Sequence, residues 1–235
     1  MTRLHTLAGG AWRADAFPGA TGAGVRVAVI DSGADDATLR GGPSRTGVSF
    51  DAAGVRGDDT HDRHGHGSAV VATIRAAAPD VEILPVKVFD RDLRATVDAL
   101  VAAIDFAAGA GVHLINLSLG TTTVAHRLRL GEALVRAARA GAAVVAADVD
   151  ESGTTWLPGS LPLAIGVSTD RTVPPGTAVV TASQEGAVRV LRARAAGVPA
   201  AARAAGAAPD PGGVSFAVAT VTGLLALHLS AQVPG

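Results

Sequence analysis

What most constrains this chain is a series of short apolar runs, each bounded by turn residues and separated from the next by a helical pattern. The runs are "VRVAVI" (25–30), "VEILPVKVF" (81–89), "VHLINLSL" (112–119), "AAVVAA" (142–147) and "LAIGVS" (163–168). They do not alternate apolar with polar residues, so each needs cover on both faces, which is the condition of a parallel sheet between two helical layers. Helical spacing falls at 67–77, 95–110, 125–140 and 214–230. The second of these has Thr96 placed as an N-cap and ends at the glycines of "AAGAG". The expected fold class is therefore α/β, a single-domain parallel β-sheet with helices on both faces. No linker or repeat divides the chain. Residues 1–235 read as one domain, with 1–20 an extension that packs on it or stays partly disordered.

Composition removes several function classes. An apolar fraction of 48% supports a sizeable core, and a net charge of −1 gives no footprint for nucleic acid or a polybasic membrane contact. With no cysteine there is no disulfide, thiolate metal site or cysteine nucleophile. The first twenty residues lack the continuous apolar core of a signal peptide, so the expected location is the cytoplasm. Residues 212–235 carry no formal charge and approach the length of a membrane span, but glycine, serine, threonine, histidine and glutamine interrupt them; they read as a buried central helix. The near low-complexity stretch 187–212 holds four arginines, read as solvated side chains on a loop or edge strand.

The chemistry-bearing residues stand at strand ends and helix starts. Asp31 closes the first strand in "VAVIDSG", where a carboxylate is costly to bury unless paired. His66 opens the helical stretch "HGSAVVATI", and Ser215 lies where the glycines of "PGGVSF" give way to another helix. On its own an aspartate or serine at such a place reads as a cap or turn residue. Together the three make a possible acid, base and nucleophile. His61, His64 and His66, with Asp59 and Asp62 close by, offer the alternative of a zinc nest, although no distant ligand accompanies them.

These same stretches resemble the motifs of the subtilisin-like serine peptidases. "VAVIDSG" is similar to the family's aspartate motif, "GHGSAVVATI" (65–74) to its histidine motif and "GVSFAVATVTG" (213–223) to its serine motif, while "VKVFD" and "INLSLG" match two further segments. The matches run in the family's order, Asp…His…Ser, across residues 22–228. The resemblance implies that Ser215 attacks a peptide carbonyl, His66 relays the proton and Asp31 holds the imidazole. It also implies that Ser118, Leu119 and Gly120 form an edge on which a peptide or protein substrate lies as an extended strand, and that no cofactor or metal is needed.

Departures from the family accompany the resemblance. Where it carries an asparagine that donates to the oxyanion, counting along "VVAADVDESG" gives Asp150, or Asp148 after a slip of two. An ionised carboxylate there has no hydrogen to donate and would repel the oxyanion, whereas a protonated one could donate if an apolar or anionic setting raises its pKa; Asp150 is the expected oxyanion-position residue on that condition. Phe216 and Ala219 replace the usual methionine and proline, "AAG" at 195–197 replaces "APG", and Val149 with the short loop 151–159 reshapes the primary specificity pocket. The stretch "TIRAAAPDVEILPVKV" passes directly from the histidine helix to the next strand, without the calcium-binding insertion that many members carry there. The expected activity is a serine endopeptidase that processes a dedicated precursor peptide. The alternatives are a weakly active or inactive binding protein on the same fold, and a metal-dependent hydrolase built on the histidine cluster.

Overall fold

The computed structural model describes residues 9–89, 94–185, 188–197 and 213–232. Seven parallel strands form its centre: in spatial order β10 (Val188–Ala195), β8 (Ala164–Thr169), β7 (Ala143–Val149), β6 (Leu114–Leu117), β2 (Arg26–Asp31), β5 (Glu82–Lys87) and β3 (Val48–Phe50). The five strands expected from the apolar runs all lie in this set. Both flanks turn antiparallel. Strands β9 (Thr177–Glu185) and β1 (Gly10–Arg13) extend one side and β4 (Arg56–Gly57) the other, so the sheet is mixed rather than wholly parallel.

The apolar runs are explained by two cores. Val27 and Val29 face one, with Val70, Val71 and Ile74 of α2 (His66–Ala77) and the length of α5 (Val214–Ser230). Ala28 and Ile30 face the other, with Ala103 and Ile104 of α3 (Val97–Gly109) and Leu130 and Leu134 of α4 (Arg127–Arg139). Both faces of each central strand are covered, so alternation has no physical basis there. A short helix, α1 (Asp36–Arg40), is capped by the Asp35 side chain.

Helix α5 is buried on every side, without a polar face, because it lies between the sheet and α2. No described helix is long and apolar enough to cross a membrane. The N-terminal segment adds β1 to the sheet edge and packs Trp12 against Phe17 and His228. The reading of 187–212 needs correction. Its described part contains β10, an interior strand, and two of its arginines are paired: Arg192 with Asp148 at 3.0 Å and Arg194 with Asp170 at 2.6 Å. Arg203 lies outside the described residues.

Candidate functional site

Asp31 ends β2 at the carboxyl edge of the sheet and is fully buried. Its Oδ1 accepts from the Ser32 amide and lies 2.7 Å from His66 Nδ1; its Oδ2 is buried with no hydrogen-bond partner among the described residues. The Nδ1 contact fixes the orientation of the ring, with Nε2 on the side away from Asp31. This contact is possible because α2 approaches β2 closely. A Cβ at Gly67 would fall 2.1 Å from the Gly33 carbonyl oxygen and 3.2 Å from the Asp31 Cβ, so any larger residue pushes the helix start away from the acid.

The loop before α2 is organised by Asp62, which is 8% exposed. Its Oδ1 accepts from the Ser32 hydroxyl (2.9 Å) and the amides of His64 (3.0 Å) and Gly65 (2.7 Å). Its Oδ2 accepts from the amide and hydroxyl of Ser68 (2.8 and 2.7 Å). Burial alone would raise this carboxyl's pKa, but the bonds from Ser68, Gly65 and Ser32 outweigh it and hold the pKa below the ordinary value. The Ser32 hydroxyl in turn accepts from the Gly67 amide at 2.9 Å. Acid strand and base helix are thus joined through one ionised carboxylate. The sequence marked Asp62 only as a neighbour of the histidines; its spacing ahead of His66 and the serine after Asp31 were the available signals.

The zinc alternative loses its ligands to these contacts. His66 bonds Asp31, Asp62 is saturated, and Asp59 pairs with Arg63 (2.7 Å) and Lys87 (3.3 Å). The rings of His64 and His66 are 6.4 Å apart. Among the described residues no group of three or more His, Cys, Asp or Glu side chains is arranged to hold a metal ion.

Ser215 is the second residue of α5, and it does not cap the helix: Gly213 holds the cap position without a side-chain bond. The Ser215 hydroxyl donates to the Ser118 carbonyl at 3.2 Å. Its amide lies in the first turn, where helical N–H groups have no intrahelical acceptor. The next residue, Phe216, places its ring 5.8 Å from that of His66. Helix α5 is pinned to the sheet by Thr222, which donates to the buried Asn116 Oδ1 at 2.9 Å, while Asn116 Nδ2 donates to the Ser118 hydroxyl at 2.9 Å. Asn116, unremarked in the sequence, therefore ties the segment 118–120 to the helix carrying Ser215.

The protonated-donor expectation for Asp150 is corrected. Asp150 Oδ1 accepts from the Ser152 hydroxyl (2.6 Å) and the amides of Ser152 (2.9 Å) and Thr154 (3.0 Å), and Oδ2 accepts from the Trp156 indole (2.9 Å). The Ser152 bond, helped by those of Trp156 and Thr154, lowers its pKa to about 2. It is an ionised acceptor holding its own loop, not a donor. Asp148 is no substitute. Burial pushes its pKa up, but its carboxylate faces Arg192, whose guanidinium also reaches the Ser160 carbonyl at 3.1 Å. The register of β7 against β8 shifts between Ala147 and Val149, so Asp148 sits at a bulge.

Asp31, His66 and the Ser215 hydroxyl stand at one edge of the sheet, the place where open α/β sheets build their sites. The profile of the subtilase family (Peptidase_S8) matches residues 22–234, and the chain belongs to that family. It is 36% identical over 142 residues to subtilisin BL of Lederbergia lenta, a match covering 55% of this chain and 49% of that protein. It is 32% identical over 149 residues to the minor extracellular protease Epr of Bacillus subtilis (strain 168), covering 58% and 21%. The chain spans about half the length, or less, of these curated relatives. Among solved structures, a cold adapted subtilisin-like serine proteinase superposes with TM-score 0.64 at 19% identity, covering 91% of this chain and 78% of the other. MycP1 from the ESX-1 type VII secretion system gives 0.61 at 21%, covering 91% and 71%. At these identities the two structures speak for the fold.

Proposed function

We propose that the protein is a serine endopeptidase in which Ser215, His66 and Asp31 act as nucleophile, base and orienting acid. The observation that carries this reading is the 2.7 Å contact between Asp31 and His66 at the sheet edge where α5 delivers Ser215. A substrate peptide lies extended along residues 118–120. Ser215 Oγ attacks the scissile carbonyl carbon while its proton passes to His66 Nε2, and the imidazolium then gives that proton to the leaving amine. Water hydrolyses the acyl-enzyme by the same relay in reverse. With Asp150 excluded as a donor, the free amide of Ser215 at the positive end of α5 is the group that meets the oxyanion.

A fluorophosphonate probe tests this directly. It should label the protein at Ser215, and both labelling and peptide hydrolysis should vanish in Ser215→Ala, with turnover falling on the order of 10⁶-fold. Hydrolysis that persists in Ser215→Ala and disappears with a chelator would instead support the metal-dependent alternative. A folded protein that neither labels nor hydrolyses would be a binding module.

A further inference from the structure

We infer that Trp156, held across the cleft by Asp150, closes the slot beside Ser215, so that the residue supplying the scissile carbonyl must be small: glycine, alanine or serine. This rests on the peptidase reading and deepens it by naming a substrate class.

Two chain segments flank the slot. The first is 118–120, which begins at the Ser215 hydroxyl contact with the Ser118 carbonyl and ends where Thr121 exchanges two 2.9 Å backbone bonds with Leu157. The second is a small hairpin closed by the Val149–Thr155 bridge and by the Asp150 amide donating to the Thr154 carbonyl at 3.1 Å. Trp156 leaves this hairpin and spans the two. On one side its Cβ lies 3.5 Å from where a Cβ on Gly120 would stand; on the other its indole nitrogen is 2.9 Å from Asp150 Oδ2. The two Thr121–Leu157 backbone bonds tie the segments together, and Gly120 lies so close to the Leu157 carbonyl that a Cβ there would sit 2.5 Å from its oxygen.

Side chains of an extended peptide alternate between opposite faces. When the peptide lies on 118–120 with its carbonyl at Ser215, the side chain of that residue enters between the two segments, where the indole lies.

The experiment is a series of otherwise identical chromogenic peptides with glycine, alanine, serine, phenylalanine or arginine before the cleaved bond, assayed alongside fluorophosphonate labelling. Wild type should favour alanine over phenylalanine by about 100-fold in kcat/KM, the range that pocket volume commands. Trp156→Gly should raise the phenylalanine substrate by a similar factor while leaving alanine within about threefold. Asp150→Ala, which keeps the indole and removes its anchor, should give an intermediate relaxation and guards against a Trp156 variant that fails to fold. Wild-type preference for phenylalanine or arginine, or an unchanged profile in a folded Trp156→Gly, would overturn the inference while labelled Ser215 leaves the peptidase reading standing. Absence of both labelling and hydrolysis in every variant would overturn the two together.

Discussion

The two sides of the cleft are built on different physical terms. On the acid–base side, Asp31 and Asp62 are buried, every approach is close, and one carboxylate collects five hydrogen bonds that fix two loops at once. On the other side Asp150 is also a saturated carboxylate, but the hairpin it closes is solvent-facing, and three of its four bonds run to residues two and four positions away. The first arrangement is set by tertiary packing and tolerates almost no change. The second is set by local turn chemistry and can vary in length and residue without disturbing the sheet. A peptidase fold can therefore keep its chemistry and change its specificity independently.

The largest effect that would break this contrast is steric. Gly67→Ala puts a methyl group where only 2.1 Å separates it from the Gly33 carbonyl, so α2 must retreat and His66 with it. Activity should fall at least about 100-fold, as a misplacement near 1 Å does elsewhere. A crystal structure or kinetic assay finding the variant unchanged would mean that the helix start is softer than its contacts suggest.

Next in size is Asp62→Ala, which leaves the donors of Ser32, His64, Gly65 and Ser68 without their shared acceptor. The expected loss is about 3 kcal/mol or more, since each buried donor left unpaired costs about 1–3 kcal/mol. Calorimetry should record a fall in Tm on the order of 6–12 °C, and hydrolysis should drop because the Ser32–Gly67 link that spaces acid from base is released. Asp62→Asn retains the acceptor oxygen and should lose less of both. If alanine and asparagine behave alike, the loop is held by something other than this carboxylate.

The smallest effect belongs to the exposed side. The folded-state pKa of Asp150 is lowered from 3.8 to about 2, so its contribution is present above the unfolded value and is lost as pH falls through about 2. Solvent screening keeps that contribution under about 1 kcal/mol. Trp156 reports it: with Trp12, the other tryptophan, replaced by phenylalanine, indole fluorescence should shift between pH 4 and 2 as the Asp150 bond is lost, and Asp150→Asn should remove that acid transition. An Asp150→Asn protein with the same acid transition would assign it to another carboxylate.

The difference between the sides also explains what was legible in the sequence. Asp31, His66 and Ser215 could be picked out because three motifs run in one order along the chain, although each residue alone reads as a cap or turn residue. The central strands were readable because covering both faces leaves mostly apolar side chains, with few polar exceptions such as Asn116 and Asp31. Three things escaped. The antiparallel flanks are short or polar on one face, as in β9, whose exposed "TASQE" end gives no apolar run. The bulge at Asp148 in β7 escaped because a bulge has no residue signature of its own. The partnership of Asp150 with Trp156 spans a loop whose geometry, rather than its composition, decides which side chain faces the cleft.

Helix α5 has one consequence for the order in which the molecule comes into being. It supplies the buried centre of one core and also carries Ser215. Acid and base leave the ribosome early, but at about 5–20 residues per second the roughly 150 residues between His66 and Ser215 take about 7–30 s to appear. Throughout that interval the inner faces of β6, β7 and β8 lack the helix that covers them, so that part of the sheet cannot consolidate. Ser215 arrives on the same element that completes the hydrophobic interior. On the proposed function a nascent chain is thus inert until the moment it can fold, and folding and competence for hydrolysis become one event.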